Sequence, residues 1–181
     1  RTVRTAARQS LEDLRQVIGV LRDGGNFTER ESDGAGARPL PGLADLPSLI
    51  ADSRRAGLAV DVTIMLQEAA DAPQPLGTAV YRIVQESLTN VLRHAPGAPA
   101  QVTVRGRPGV GLTVEVVNHI PVPDPANPAT PSPGSGTGLI GVAERVTQLG
   151  GTVSVGPTDE GVFALHAWLP WNGTGATTSD H

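Results

Sequence analysis

Four polar residues in the middle of the chain have the types and spacing needed to bind a metal and phosphates. They are Glu86, Asn90, Arg93 and His94, which interrupt the apolar pattern of the stretch 81–95. Because Glu86 and Asn90 are four residues apart, a helix would place the carboxylate and the carboxamide one turn apart. Their oxygens suit Mg2+, which keeps several waters and bridges phosphates, and the two basic residues add positive charge. This stretch indicates a nucleoside triphosphate site.

The same stretch has a second, apolar side. Its apolar and small residues recur every three or four positions, which predicts the core-facing stripe of an amphipathic helix. The stripe consists of Val80, Ile83, Val84, Ser87, Leu88 and Val91. One face of the helix would then build a core, and the other would be free to hold a ligand. An ordinary solvated helix face is the alternative interpretation of the polar residues.

A glycine-rich segment leading into a second amphipathic helix pattern lies downstream, at 134–151. Gly136, Gly138 and Gly141 allow backbone N–H groups to approach phosphates at a helix N-terminus. Their spacing also matches the Rossmann dinucleotide motif, but that motif leaves a strand directly, whereas a proline-rich segment precedes these glycines. A Walker A loop is excluded because no Gly-Lys-Ser/Thr follows. A glycine-rich loop without a ligand is the remaining alternative.

The composition limits the classes of function. A chain of 181 residues is long enough for one domain with a full core and one appended element. Its net charge of -4 argues against a general nucleic-acid or anionic-membrane surface. It has no cysteine for disulfides or thiolate metal sites, and its four His lack zinc spacing. Without a bilayer-length apolar run or a signal peptide, we expect a cytoplasmic chain.

The N-terminal residues 1–22 carry an apolar heptad pattern that needs a helical partner. We interpret them as a helix of an intermolecular bundle, with packing against the chain's own domain as the alternative. A glycine-rich polar segment follows. The predicted division is therefore 1–24 for the end of the bundle, 25–38 for a linker, 39–171 for a globular domain and 172–181 for a disordered tail.

Apolar periodicity and turn residues predict an α/β domain with a partly antiparallel sheet. A glycine-containing connection between two short strands predicts a hairpin, and six prolines in 119–133 predict a mobile lid. Pro73 and Pro75 are expected to break the chain before the central helix. The other predicted elements are a helix at 39–56 ended by Gly57, strands at 58–66, 101–105 and 112–118, a helix at 139–149, and strands at 152–155 and 162–169 around a turn at Gly156-Pro157.

Two long motifs resemble those of a known family. Residues 81–95 look like the N box, and 136–151 like the second glycine box, of bacterial sensor histidine kinases that pair with NarL-type response regulators. Residues 39–46 and 168–170 are similar as well, and 1–22 look like the second helix of the dimerisation and phosphotransfer bundle. The resemblance implies a two-layer α/β sandwich, with helices on one face of a mixed sheet, preceded by a bundle helix.

The resemblance also implies ligands, partners and residue roles. The cofactors would be ATP and Mg2+, with Asn90 as the metal ligand and Glu86 as the catalytic residue that orients the metal's waters or assists proton movement. The partners would be a NarL-type response regulator and, in the full-length protein, a second copy, without nucleic acid. Whether a membrane anchor precedes Arg1 in the parent protein is left open. The nucleotide would contact Arg93, His94, Asn118, Gly136, Thr137, Gly138, Leu139 and Gly141, beneath the proline-rich lid.

The chain departs from the family in two places. None of its four His has the context of the phosphoacceptor, so we expect a kinase fragment whose acceptor lies on a bundle helix absent from this chain. The first glycine box, normally Asp-x-Gly-x-Gly, begins here with Asn118 and has no glycine in 118–122. A neutral amide binds adenine more weakly than a carboxylate, so we expect weak nucleotide affinity. The alternatives are a non-catalytic interaction module and a serine kinase of the anti-sigma-factor type, which the heptad helix disfavours.

Overall fold

The computed structural model of the protein describes residues 40–120 and 137–172, which form a five-stranded sheet and three α-helices. Short 3-10 turns at Leu43–Asp45 and Ala69–Asp71 precede the first two helices. The helices are α1 (Leu46–Arg55), α2 (Gln74–His94) and α3 (Thr137–Gln148), and the strands are β1 (Val60–Leu66), β2 (Ala100–Arg107), β3 (Gly111–His119), β4 (Thr152–Pro157) and β5 (Val162–Leu169).

The sheet is mixed, with strand order β1-β2-β3-β5-β4. The β1–β2 pair is parallel, and the other three pairs are antiparallel. A parallel pair needs a crossover connection, which α2 supplies between β1 and β2. The β2–β3 and β4–β5 pairs are hairpins, so the predicted mixed, partly antiparallel sheet is confirmed.

Burial alternates along the strands and divides the sheet into two faces. On β3, Leu112, Val114 and Val116 are buried and face the helices, whereas the intervening residues are more exposed. The opposite face is open among the described residues, and it carries the exposed side chains of His166 and Trp168 on β5. The predicted two-layer sandwich, with helices on one face of the sheet, is therefore confirmed.

Prolines set the starts of two helices. The helix predicted for 39–56 begins as α1 at Leu46, with Pro47 in its first turn, and ends before Gly57, whose φ is +94°. Pro75 was expected to break the chain, but it lies in the first turn of α2, which begins at Gln74. Proline is tolerated there because the N–H it lacks would have no helical partner. The central helix is therefore longer than predicted.

The turn predicted at Gly156-Pro157 is wrong, since β4 continues through Pro157. The chain reverses at 158–161, where Thr158 N–H donates to Val162 O at 2.8 Å and Gly161 has a φ of +73°. That hydrogen bond directs the nitrogen of the preceding residue, Pro157, away from β5. Its missing N–H therefore removes no bond of the β4–β5 ladder.

Several predictions fall on residues outside the described part of the chain. They are the heptad helix at 1–22, the linker at 25–38, nearly all of the proline-rich lid at 119–133 and the tail after Asn172. The division into domains accordingly stays a prediction. Among the helices described, none is both long and apolar enough to cross a membrane.

Candidate functional site

Helix α2 positions the candidate polar residues by burying its opposite side. All six residues of the predicted apolar stripe are buried, among them Val80, Ile83 and Val84 at 0% exposure. Ser87 is accommodated because its hydroxyl donates to Ile83 O at 2.8 Å. Packing of this stripe on the sheet fixes the rotation of α2 and hence the direction of its polar side.

The polar side of α2 holds Glu86 and Asn90 half-buried, with Arg93 and His94 exposed in the last turn. Asn90 Nδ2 is buried and has no hydrogen-bond partner among the described residues. Leaving a buried polar group unpaired costs about 1–3 kcal/mol. The oxygen and nitrogen of an amide are assigned from the surrounding hydrogen bonds, so either end can be the unpaired one. Asn90 thus keeps unused hydrogen-bonding capacity at the site.

Glu86 brings the two predicted motifs together. A Cβ atom on Gly138 would lie 2.5 Å from Glu86 Oε2, so the carboxylate occupies the space that any other residue at 138 would need. Gly138 lies in the first turn of α3, where the backbone N–H groups have no helical acceptors and the helix dipole favours negative charge. The carboxylate of α2 therefore lies against the positive end of α3.

The remaining residues of the second glycine motif differ in their surroundings. A Cβ atom on Gly141 would have no described atom within 4 Å, so local packing does not require glycine there. The backbone of Thr137 begins α3, and Leu139 packs partly buried against the core. Gly136 lies outside the described residues.

We expect alanine at 138 and at 141 to act differently on stability. Gly141→Ala should stabilise the domain by about 0.5–1 kcal/mol, since alanine is the better helix former and no atom obstructs it. Gly138→Ala should gain less, because the new methyl group displaces the Glu86 carboxylate. Urea unfolding of both variants, repeated in a Glu86→Ala background, measures the coupling. If Gly138→Ala and Gly141→Ala raised the free energy of unfolding equally in the native background, the contact between Glu86 and Gly138 would be contradicted.

Asn118 lies at the end of β3, opposite Ala100 of β2 and Phe163 of β5. It shares the helix-covered face with the buried residues of β3 and is itself 7% exposed. Its Nδ2 donates to His119 O at 3.0 Å. No described residue donates to its Oδ1, which remains able to accept a hydrogen bond. The amide is thus held with its acceptor end available.

Sequence reasoning missed two residues of the same helix side, Thr78 and Arg82. Arg82 is half-buried and donates to Gln85 Oε1 at 2.8 Å, and its pKa is lowered by burial and by the positive charge of Arg145. Thr78 Oγ1 is buried without a partner among the described residues. With Glu86 and Asn90, these residues continue a four-residue spacing, and that spacing was the available signal.

The donor set is compatible with a magnesium ion bound together with phosphates. The described residues contain no group of three or more His, Asp or Glu that could hold a metal ion. The oxygen ligands available at this site are the carboxamide of Asn90 and the carboxylate of Glu86. Mg2+ usually takes one or two protein oxygens and completes its shell with waters and phosphate oxygens. The residues fit a metal that arrives with a nucleotide rather than a resident metal centre.

Sequence comparison matches residues 76–173 to the family of histidine kinase-, DNA gyrase B- and HSP90-like ATPases. The matched segment is more than half of the chain, and it contains Glu86, Asn90, Asn118 and Gly138. The chain belongs to this family. The predicted ATP-binding domain with the histidine-kinase and gyrase type of ATPase fold is thereby confirmed, and the matched segment extends from the first turn of α2 past the end of β5.

One curated relative of this chain is a sensor kinase. The sensor histidine kinase YxjM of Bacillus subtilis strain 168 is 25% identical over 169 residues, which are 93% of this chain and 36% of that kinase. The chain therefore spans about a third of the length of this curated relative.

Two solved histidine kinase structures share the fold of the ATPase domain. The blue-light activated histidine kinase of Erythrobacter litoralis has a TM-score of 0.51 and 22% identity, over 72% of this chain and 42% of that chain. Full-length ShkA in complex with AMPPNP has a TM-score of 0.53 and 17% identity, over 95% of this chain and 39% of that one. At these identities the likeness concerns the fold.

Proposed function

We propose that this chain is the ATP-binding catalytic part of a cytoplasmic two-component sensor histidine kinase. It transfers the γ-phosphoryl group of ATP to a His on a helical bundle, and from there the group passes to an Asp of a NarL-type response regulator. The parent protein acts as a homodimer through that bundle. The sensor histidine kinase YxjM, which aligns with 93% of this chain, supports the kinase assignment.

The contact between Glu86 and Gly138 carries this proposal. It joins the helix that bears Asn90 to the start of the glycine-motif helix, as a site for a metal-bound triphosphate requires. The N–H groups in the first turn of α3 can donate to phosphate oxygens, and Gly136, Gly138 and Gly141 would let the start of this helix close over them. Arg93, exposed at the end of α2, adds positive charge for the same phosphates, and the neighbouring exposed His94 can donate a hydrogen bond to them.

The remaining side chains of the site would have separate roles in binding the metal, the adenine and the phosphates. Asn90 would ligate Mg2+ through its carbonyl oxygen, and Glu86 would orient the metal's waters or accept a proton. When bound, Mg2+ neutralises negative charge on the phosphates and bridges their oxygens. Asn118 would accept a hydrogen bond from the adenine amino group, with Leu139 and Gly141 on the helix beside the nucleotide. Transfer would depend mainly on positioning and charge stabilisation.

The acceptor His is proposed to lie outside this chain. His94 ends α2 and His119 ends β3. His166 lies on the open sheet face, with Nδ1 3.6 Å from Glu115 Oε1. These three positions are not on a bundle helix. Incubation with labelled ATP should therefore leave the chain itself without phosphohistidine, and labelling of any of its His would contradict this part of the proposal.

Calorimetric titration tests the nucleotide site directly. The chain would be titrated with ADP and with a non-hydrolysable ATP analogue, each with Mg2+ and with a chelator. We expect the analogue to bind more tightly in Mg2+, since its γ-phosphate adds a metal-bridged contact. No binding at about millimolar nucleotide, the weak end of ligand affinities, would instead favour the non-catalytic interaction module.

Asn118→Asp should tighten adenine-nucleotide binding while destabilising the domain. A charge-assisted hydrogen bond to adenine should strengthen binding by about five- to tenfold. The same change replaces the Nδ2 donor facing His119 O with a buried carboxylate, which should cost about 1–3 kcal/mol of folding stability. Titration and urea unfolding measure the two effects, with Asn118→Ala as the matched control. An affinity no higher than that of the native chain would contradict the adenine contact.

A further inference from the structure

Strand β1 forms one edge of the sheet. Within residues 40–120 and 137–172 it pairs with β2 alone, along all seven residues Val60–Leu66. Two of its apolar side chains are exposed, Ile64 by 40% and Met65 by 54%. An apolar edge of this length is a template for another strand unless charges, prolines or bulges block it. Between 60 and 66 the blocking residues amount to a single charge, Asp61.

Two backbone hydrogen bonds between the ends of β1 and β2 show which groups of β1 face outward. Ala100 N–H donates to Ala59 O at 2.8 Å, and Gln67 N–H donates to Gly106 O at 3.1 Å, so the odd-numbered residues point towards β2. The N–H and C=O groups of Val62, Ile64 and Leu66 therefore point away from the sheet. These three residues form a row of outward donors and acceptors, which we call the β1 edge.

The two ends of the β1 edge carry opposite charges. At its start, the Arg54 guanidinium donates to Val60 O through Nε at 3.1 Å and through Nη2 at 2.6 Å. Just past its end lies Glu68, exposed and with a φ of +54°, which terminates the strand. Neither side chain forms a salt bridge with another described residue. The edge is thus basic where it begins and acidic where it ends.

We propose that the β1 edge pairs antiparallel with the β1 edge of a second copy of this chain, about a two-fold axis at Ile64. Val62 of each copy then lies opposite Leu66 of the other, and the three outward-facing residues of each strand exchange N–H···O bonds. This register places Val60 opposite Glu68 of the second copy. The Arg54 guanidinium, held at Val60 O, comes beside that carboxylate at both ends of the interface.

The choice of a second copy of this chain as the partner of the β1 edge rests on this charge complementarity. A two-fold axis brings the basic start of one edge to the acidic end of the other, and it places Asp61 opposite the neutral Gln67 and Thr63 opposite Met65. No like charges lie opposite each other, which is the arrangement that would oppose pairing. The contact is independent of the nucleotide site, so it can hold whether or not the proposed kinase function does.

Single-cysteine crosslinking tests the register in the full chain. Because the native sequence has no cysteine, one introduced thiol reports one contact. Two Ile64→Cys residues would face each other with Cα atoms about 5.5 Å apart, within disulfide range. Two Asp61→Cys residues would be six positions out of register, about 20 Å apart. We expect mild oxidation to produce covalent dimer at least about tenfold faster at 64 than at 61. Equal crosslinking rates at positions 64 and 61 would overturn the proposal. A dimer held only through residues 1–22 would give this result, because it would favour neither pair of thiols.

Charge reversal tests the ends of the edge by a second route. Arg54→Glu and Glu68→Arg should each slow crosslinking of the Ile64→Cys chain about tenfold. Combining them should raise the rate at least about threefold above that of either single variant, because opposite charges again face each other even though a carboxylate at 54 cannot donate to Val60 O. Arg55→Glu, next to Arg54 and also exposed, is the matched control and should leave the rate unchanged. Circular dichroism checks that each variant is folded. Failure of the double variant to recover would count against the proposed register.

Discussion

Replacing Asn90 with alanine should weaken Mg2+-dependent binding of an ATP analogue by at least about 10- to 100-fold, the loss that already follows removal of a group that only supports a metal ligand. The same change should raise folding stability by about 1 kcal/mol. It removes a buried amide nitrogen that has no partner among the described residues, and alanine favours the helix. Calorimetric titration measures the affinity, and urea unfolding measures the stability.

A lower affinity for the nucleotide together with a higher folding stability would show that Asn90 has a ligand-binding role and not a structural one. Asn172→Ala is the matched control, since that asparagine is exposed and lies beyond β5. It should change neither quantity by more than about 0.5 kcal/mol. If Asn90→Ala lowered stability and left the affinity unchanged, the amide would be a packing element of α2 and the proposed metal ligand would be wrong.

Replacing Gly151 with valine should cost about 3 kcal/mol or more of folding stability. This glycine joins α3 to β4, and its N–H donates to Val146 O at 2.9 Å. A Cβ atom there would run into the carbonyl oxygen of Trp168 on the neighbouring strand and would lie 2.9 Å from Val146 Cγ1. Backbone cannot move aside as a flexible side chain can, so the α3–β4 connection itself would have to shift.

The control for this variant is Gly42→Ala. Gly42 has a φ of -139°, and no described atom lies within 4 Å of its Cβ position. Urea unfolding should place this variant within about 0.5 kcal/mol of the native chain. A similarly small effect at Gly151 would mean that the connection relaxes around a side chain, and the close approach would not be a constraint on the sequence.

The parts of the fold that sequence predicted well are those governed by local periodicity. The stripe at Val80, Ile83 and Val84 repeats every three or four residues, so both the existence of α2 and its buried side could be predicted. The hairpin strands β2 and β3 alternate in polarity and were likewise found. Element ends were less predictable, because the effect of proline depends on position. Pro75 lies in the first turn of a helix, and Pro157 is tolerated because its nitrogen faces away from β5.

The site could be predicted as a set of residues, but its long-range contacts could not. The spacing of Glu86 and Asn90 along one helix is visible in the sequence. The contact of Glu86 with Gly138 is not, because it depends on how α2 and α3 pack, and these two residues are 52 positions apart in the sequence. The parallel pairing of β1 with β2 is also non-local, so the outward direction of the β1 edge needed the structure.

The parallel β1–β2 pair has a consequence for the order in which the domain folds. Hairpins β2–β3 and β4–β5 close short loops, whereas β1 reaches β2 only after the whole of α2 has been traversed, and closing a longer loop costs more entropy. Pulse-labelled hydrogen exchange should therefore show hairpin amides protected before that of Ala100, which donates across the parallel pair. Earlier or simultaneous protection of Ala100 would contradict this order. The crossover helix α2 itself bears Glu86 and Asn90, so these side chains reach their final positions only when β1 pairs with β2. Folding intermediates that lack this pairing therefore lack an assembled site.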